Sequence, residues 1–356
     1  MMKWQRTLTR PETSGKATRF VTVLLVAFFL FSKGLLAATV HDELIEGAKR
    51  EREVEVYATL GLEDAAALVA KFEAKYPFLK VKLTRADSEK LLTRVLLEFR
   101  ARQRFADVIQ TVAFSMHTFV KKGILASYVP SEDRFYGKEF KGQTFWTAAY
   151  VNPYVVAYNT KMVPRDRLPK SYSDLLHPVW NGKMMMEGTK ADWFAGMLQI
   201  MGRQEGLQYM RSLAKQNVML RAGHTLIAQL VAAGEALLDV NITLSSVNRL
   251  KQKGAPIDWL ALGPIPGIMI GIGTVTNPPH PNAAKLFLDF VLSQEGQKVV
   301  EKFDRVSARS DLSGEQGGKY KSFKLVPVNP ALGENLNEYA EPVSYTHLTL
   351  PTIYSV

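Results

Sequence analysis

Short strand-like runs alternate with helix-like runs along residues 54–123, and this alternation limits the fold more than any other feature of the sequence. The run GLEDAAALVAKFEAKYP spaces its apolar residues by three and four from Leu62 to Tyr76, which predicts one helix that Pro77 ends. Strands that alternate with helices form parallel sheets with right-handed crossovers. The sequence therefore predicts an α/β fold.

The second half of the chain repeats this pattern less regularly. Two strand-rich runs, residues 147–160 and 262–276, separate one set of strand–helix units from another. We expect the chain to cross between two lobes at these runs and to leave a cleft between the lobes. Pro281 predicts the start of a single helix that continues to Lys302.

Composition excludes several kinds of site. The chain has no cysteine, which excludes disulfides, thiolate metal sites, thiol catalysis and a lipid anchor on an N-terminal cysteine. The net charge of +11 includes +5 from residues 1–38, where six Lys and Arg accompany one Glu, so the remainder is mildly basic at +6. Basic clusters interleaved with aromatics are absent from the sequence, which argues against nucleic-acid binding.

The N-terminus has the pattern of a secretory signal. Five basic residues precede the apolar run FVTVLLVAFFLF, which is too short to span a membrane, and SKGLLAA then supplies small residues. We expect export with cleavage after Ala37 or Ala38. An uncleaved anchor is the alternative.

Several phrases, in order, resemble the extracellular solute-binding proteins of ABC importers, in the branch that includes ferric-iron-binding and polyamine-binding proteins. They include VEVYATLGLEDAAALVAKFEAKYPFLKV, VNPYVVAYNTKMV and PKSYSDLLHPVWNGKMMME, and the resemblance runs from about Leu44 to Leu312. It implies the two-lobed type 2 periplasmic binding fold, with a hinge, an inter-lobe cleft and docking to a membrane permease. It also implies a periplasmic protein, which we expect to be monomeric, to capture a small molecule and to need no cofactor.

These observations divide the chain into six expected segments. They are a signal peptide at 1–38, the first part of lobe 1 at 39–150, lobe 2 at 151–261, the return to lobe 1 at 262–312, a C-terminal segment at 313–342, and the tail at 343–356.

Ligands of α/β folds bind beyond the carboxyl ends of strands, close to helix N-termini that favour anions. The candidate contacts at these positions in the first half are Thr59, Leu60, Arg85, Ser88, Thr111 and Phe114. Plain helix capping is the alternative role of Ser88. Trp146 and Tyr150, with Tyr154, lie at the first crossing, where they could line the cleft or pack the hinge.

The candidate contacts in the second half are Asp192, Trp193, Arg221, His224, Asn241 and Thr243. Arg221 suits an anion because a guanidinium donates two parallel hydrogen bonds. Asp192 could instead cap a helix, and His224 could be a packing residue. Asn241 and Thr243 favour hydrogen bonds to a small organic molecule or anion.

The ferric branch of the family has two adjacent tyrosines after a VN-type strand end and a histidine in the first strand–helix loop. Here the matching strand end reads DVNITLSS and the loop reads ATLGLED, so both features are missing. We therefore predict no direct ferric site of this kind and no resident metal, and keep ferric iron bound without tyrosines, or iron carried by a chelator, as alternatives.

Two other classes of function remain as alternatives. His224, Asp239 and Ser245 or Ser246 could form a nucleophilic triad, but the sequence has no G-x-S-x-G, HExxH, P-loop or Rossmann motif, so we expect no enzyme. The glycines of GIMIGIG fit a close-packed crossing strand better than a nucleotide site. A ligand sensor that docks to a membrane receptor would have the same sequence features.

The last residues differ from the rest of the chain. Residues 343–356 hold no charged residue, and VSYTHLTLPT can be encoded by DNA that resembles a transposase mosaic-end sequencing adapter. We interpret this tail as adapter translation, and expect the natural chain to continue differently after about Glu341.

Overall fold

The structure is a computed structural model, and it describes residues 41–103, 106–188, 191–312 and 324–335. The expected signal peptide and the tail at 343–356 lie outside the described residues. None of the helices in the described ranges is long and apolar enough to cross a membrane.

Most of the β-strands in the described residues agree closely with the predicted runs. The strands are β1 (Glu53–Ala58), β2 (Lys80–Arg85), β3 (Val108–Val112), β4 (Thr147–Asn159), β5 (Met184–Glu187), β6 (Met219–Arg221), β7 (Leu238–Thr243), β8 (Ile257–Leu260), β9 (Ile265–Thr274) and β10 (Leu325–Pro327).

Most helices follow a strand directly, as the alternating pattern predicts. The helices are α1 (41–51), α2 (Leu62–Lys75), α3 (Ser88–Arg100), α4 (Ala113–Lys121), α5 (Ala191–Met201), α6 (Arg203–Ala214), α7 (His224–Ala233), α8 (Leu244–Gln252), α9 (Pro281–Leu292) and α10 (Gln294–Glu301).

The strands form two half-sheets with the same order. In the first, β2, β1 and β3 are parallel, β9 is antiparallel to β3, and β4 is antiparallel to β9. In the second, β6, β5 and β7 are parallel, β4 is antiparallel to β7, and β8 is antiparallel to β4. We call these half-sheets, with the helices packed on them, the first and second lobes.

The two lobes share strand β4. Its first half pairs with β9 from Thr147 to Pro153, and its second half pairs with β7 and β8 from Tyr154 to Asn159. Strand β9 extends in the other direction and pairs with β10 at Ile265 to Gly267. The expected crossings at residues 147–160 and 262–276 are therefore present, while the exact limits of the lobes stay a prediction.

Each lobe has its own core. One cluster of buried side chains joins β1, β3, α2, α9 and α10, and two others lie on the opposite faces of the second half-sheet. Close packing explains the glycines of β9, because a Cβ at Gly271 would lie 2.8 Å from the Trp146 ring and 2.9 Å from Met116. The crossing strand thus needs glycine where Trp146 packs against it.

The structure differs from the sequence-based prediction in four places. The helix predicted from Pro281 to Lys302 is two helices, because the Ser293 hydroxyl accepts the Gly296 N–H and begins a new helix at Gln294. Helix α6 and the short strands β6 and β10 were not predicted, since their apolar spacing is weak.

Candidate functional site

The carboxyl ends of six parallel strands, three from each lobe, define the candidate site. Helices α2, α3 and α4 begin there in the first lobe, directly after β1, β2 and β3, and α7 and α8 begin there after β6 and β7 in the second. Backbone N–H groups of these first helical turns point toward this region and carry a partial positive charge. The candidate site is therefore drawn from the residues at these strand–helix junctions.

Three polar side chains of the second lobe lie together at this edge. The Tyr154 hydroxyl on β4 donates to Asp192 Oδ1 at 3.2 Å, and Asp192 also accepts the Trp193 N–H at 2.8 Å. The His224 ring lies 5.5 Å from the Tyr154 ring, tilted by 55°. Asp192 and His224 were predicted contacts, whereas Tyr154 was noted only as an aromatic residue of the crossing.

The environment of Tyr154 keeps its phenol protonated. Burial raises the pKa of Tyr154 well above 10, and the carboxylates of Asp192, Glu187 and Glu89 raise it further. Glu89 belongs to α3 of the first lobe, so this electrostatic effect acts from one lobe to the other. The phenol is therefore a hydrogen-bond donor here.

An arginine stands at the same position in each lobe. Arg85 is the last residue of β2 beside Ala58 of β1, and Arg221 is the last residue of β6 beside Glu187 of β5. Arg85 Nε donates to the Leu60 carbonyl at 2.9 Å, and Arg221 Nη1 donates to the Leu220 carbonyl at 2.8 Å. Neither arginine forms an ion pair with another described residue, and both are exposed.

The remaining first-lobe candidates differ in accessibility. Thr59 and Ser88 are half-buried, and the Ser88 hydroxyl donates to Glu89 at 3.1 Å. Thr111 is fully buried, and neither its hydroxyl nor the neighbouring Gln110 Nε2 has a hydrogen-bond partner in the described part of the chain. The end of β3 therefore holds two unsatisfied polar groups just below the junction with α4.

Several predicted contacts are packing residues. Leu60 belongs to the first core, while Phe114 and Trp193 belong to a core cluster of the second lobe, where Phe114 packs against Gly333. Trp146 and Tyr150 are buried at the crossing, as expected if these two residues pack the hinge. We leave these five out of the site proposed below.

The side chains of Asn241 and Thr243 form hydrogen bonds within the protein. The Asn241 side chain accepts the Glu187 N–H at 2.8 Å and donates to the Glu187 carbonyl at 3.0 Å, so it extends the pairing of β5 and β7. The Thr243 hydroxyl bonds to the Ser246 hydroxyl at 2.7 Å at the start of α8. Both residues support the site from below, and we propose no direct ligand contact for Asn241.

Sequence reasoning missed a polar cluster between the lobes. Arg305 donates to Asp64 in α2, to Asn152 in β4 and to Ser245 in α8, and Arg249 of α8 donates to the same Asp64 at 3.2 Å. These residues are up to 241 positions apart in sequence, so no local pattern shows that they meet.

The residues of the hypothetical triad make other contacts. Asp239 Oδ1 accepts the Asn241 N–H at 2.9 Å, Ser245 accepts from Arg305, and Ser246 bonds to Thr243. His224 packs against Tyr154. This arrangement gives no support to nucleophilic catalysis.

Comparison with known proteins identifies the family. The model of the bacterial extracellular solute-binding proteins matches residues 103–326 of the 356. The chain belongs to this family. Family membership confirms the prediction of a solute-binding protein that acts outside the cytoplasm. The members of this family are binding proteins.

Sequence relatives and solved structures agree with this family. The chain is 22% identical over 171 residues to the Fe(3+)-binding periplasmic protein of Serratia marcescens. The match covers 44% of this chain and 48% of that protein. The chain thus spans about half the length of this curated relative.

Three similar structures confirm the type 2 periplasmic binding fold. Iron-bound HitA from Pseudomonas aeruginosa has 21% identity and a TM-score of 0.69, covering 83% of this solute-binding protein and 99% of HitA. AfuA from Actinobacillus pleuropneumoniae, with exogenous fructose-6-phosphate bound, has 20% identity and a TM-score of 0.69. The match covers 82% of this protein and 98% of AfuA. The ferric binding protein of Campylobacter jejuni has 20% identity and a TM-score of 0.71. The match covers 83% of this protein and 99% of the Campylobacter jejuni protein.

Proposed function

We propose that this protein is the binding component of an ABC importer, which captures a small polar organic ligand with at least one anionic group and delivers it to a membrane permease. The observation that carries the proposal is the pair Arg85 and Arg221, one at the equivalent strand end of each lobe, with N–H groups left to donate. An anion between the lobes would be bound by both, because guanidinium groups pair with carboxylates and phosphates in two-point geometry.

Hydrogen-bonding groups beside the arginines support a ligand with further polar groups. Ser88 and Thr59 are accessible in the first lobe, and His224 is half-buried in the second. Also in the second lobe, the carboxylate of Asp192 accepts the Tyr154 hydroxyl. A ligand that combines an anionic group with hydroxyl groups would match this mixture of cationic, donor and acceptor groups.

The ligands named for two similar structures agree with this class. AfuA was solved with fructose-6-phosphate, and a Trichodesmium protein of 19% identity and TM-score 0.68 was solved with iron and citrate. Fructose-6-phosphate and citrate are both organic anions rich in oxygen. They are therefore the first probes to test on this protein.

Bare ferric ion is a poorer match than an organic anion. Ferric ion prefers ionised oxygen ligands, whereas the phenol of Tyr154 is kept protonated by burial and by nearby carboxylates. Strand β7 ends in Asn241, Ile242 and Thr243, and Asn241 is fully occupied by Glu187. An iron chelate remains the alternative ligand, since its chelator is itself an organic anion.

The proposal is tested by a thermal-shift and calorimetry screen of residues 39–342. We expect an organic anion such as citrate or a sugar phosphate to raise the melting temperature, because ligand that binds only the folded state stabilises it. Bare ferric ion should bind weakly. Tight binding of ferric ion together with no response to any organic anion would contradict the proposal.

Two substitutions locate the binding. With an anionic ligand from the screen, Arg85→Gln and Arg221→Gln should each weaken binding by about tenfold or more, the effect of losing a charge-assisted hydrogen bond. Arg211→Gln is the matched control, because Arg211 is exposed on α6 away from the strand ends. Equal affinity in all three variants would show that Arg85 and Arg221 do not bind the ligand.

A further inference from the structure

One face of α8 bonds across to the first lobe. Ser245, Arg249 and Gln252 are spaced by four and three residues, so they lie along one side of the helix. Ser245 bonds to Arg305 at 3.1 Å, Arg249 to Asp64 at 3.2 Å, and Gln252 to Asp304 at 3.0 Å. We call this row of contacts the α8 seam.

Asp64 is the centre of the seam. Its side chain is fully buried, and its Oδ2 accepts Arg305 Nη2 at 2.8 Å and Nε at 3.2 Å, while Oδ1 accepts from Arg249. Arg305 Nη1 also donates to Asn152 on the crossing strand at 2.7 Å. Arg305 is thus fixed to the hinge and to Asp64 within the first lobe.

The two arginines are held differently. Arg305 lies with its guanidinium 5.1 Å from the Tyr150 ring and has only 10% of its side chain exposed, so its pair with Asp64 is part of the first lobe. Arg249 has 33% of its side chain exposed and belongs to a helix of the second lobe. A hinge motion would therefore separate Arg249 from Asp64 and leave the Arg305 pair intact.

We propose that the contact between Arg249 and Asp64 is a latch that stabilises the closed arrangement of the lobes, with Arg305 as the residue that positions Asp64. Opening places Asp64 Oδ1 and the Arg249 guanidinium in water, and closing restores a charge-assisted hydrogen bond. The latch sets the ratio of open to closed molecules before any ligand binds, and hence the affinity that a ligand of the closed form shows. This inference does not depend on the identity of the ligand.

The absence of cysteine from the sequence makes the lobe separation measurable. Cysteines at Lys90 on α3 and Gln229 on α7, both exposed, accept two fluorophores for single-molecule energy transfer without ligand. We expect Arg249→Met to raise the open-to-closed ratio about fivefold or more, the size of a typical coupling between two states. Arg249→Lys should restore part of the closed population.

Lys251→Met is the matched control, because Lys251 lies on the same helix but pairs with Asp258 of the same lobe. It should leave the ratio unchanged. Gln252→Leu removes an adjacent seam contact at an exposed position and should shift the ratio in the same direction as Arg249→Met. Unchanged distance distributions in both seam variants would overturn the latch, whatever the result of the Arg85 and Arg221 tests.

Discussion

Buried polar residues at the candidate site bond to the backbone of neighbouring strands. Asn241 is the clearest case, because its amide satisfies both backbone groups of Glu187 where β5 and β7 separate. Glu187 in turn precedes the junction that leads to Asp192. We therefore expect the position of the second-lobe carboxylate to depend on the Asn241 side chain, whose role as a ligand contact stays a prediction.

Replacing Asn241 tests this supporting role. Asn241→Ala leaves a buried N–H and a buried carbonyl without partners, so we expect the free energy of unfolding to fall by about 2–4 kcal/mol. Denaturant titration measures the loss. Gln208→Ala, at an exposed amide on α6, is the control and should change stability by less than about 0.5 kcal/mol. A loss as small as the control's would show that Asn241 does not support the strand.

Asp239 gives a second residue-scale prediction. Burial raises the pKa of Asp239 well above 3.8, and Oδ2 has no hydrogen-bond partner among the described residues. The folded state therefore keeps a proton that the unfolded chain releases, and stability falls as pH rises from about 3.8 toward the raised pKa. Asp239→Asn removes this titration.

Unfolding experiments between pH 4 and pH 8 measure the effect of Asp239. The difference in unfolding free energy between Asp239→Asn and the parent should move in favour of the variant as pH rises. A difference that is independent of pH would mean that Asp239 titrates alike in the folded and unfolded states.

At the scale of elements, the hinge depends on close contact between β9 and the aromatic residues of β4. Gly271→Ala would place a Cβ 2.8 Å from the Trp146 ring, and overpacking of this kind costs about 1–3 kcal/mol. We expect that loss in denaturant titration. Gly61→Ala is the control, because its nearest neighbour would be 3.5 Å away and its φ of −58° suits alanine. A neutral Gly271→Ala would show that Trp146 moves aside freely.

Local elements were largely predictable, and long-range contacts were not. Apolar spacing and the break at Pro77 predicted the helix from Leu62, and a run of apolar and aromatic residues predicted the strand at 147–160. Both signals depend only on residues close together in the sequence. The break at Ser293 was missed because a single capping hydroxyl interrupts an otherwise continuous apolar pattern. The partner of Arg249 could not be predicted, since Asp64 is 185 positions away.

The whole molecule combines two similar lobes with one shared strand and one polar seam. Each lobe contributes an arginine at the equivalent strand end, and in the proposed binding mode both would contact the same ligand when the lobes close. In that mode the two cationic groups would repel each other without a ligand, and the proposed latch between Arg249 and Asp64 would oppose that repulsion. If both proposals hold, repulsion between the arginines favours the open form and the contact of Arg249 with Asp64 favours the closed form.

The pairing of β3 with β9 also dictates the order in which the chain can fold as it is made. All pairing within the second half-sheet involves residues between 154 and 260, so that sheet can be complete early. The first half-sheet needs β9, which ends at Thr274, to cover the edge of β3. The lobe that emerges first during synthesis is thus finished last, and its open edge must stay protected from other chains until then.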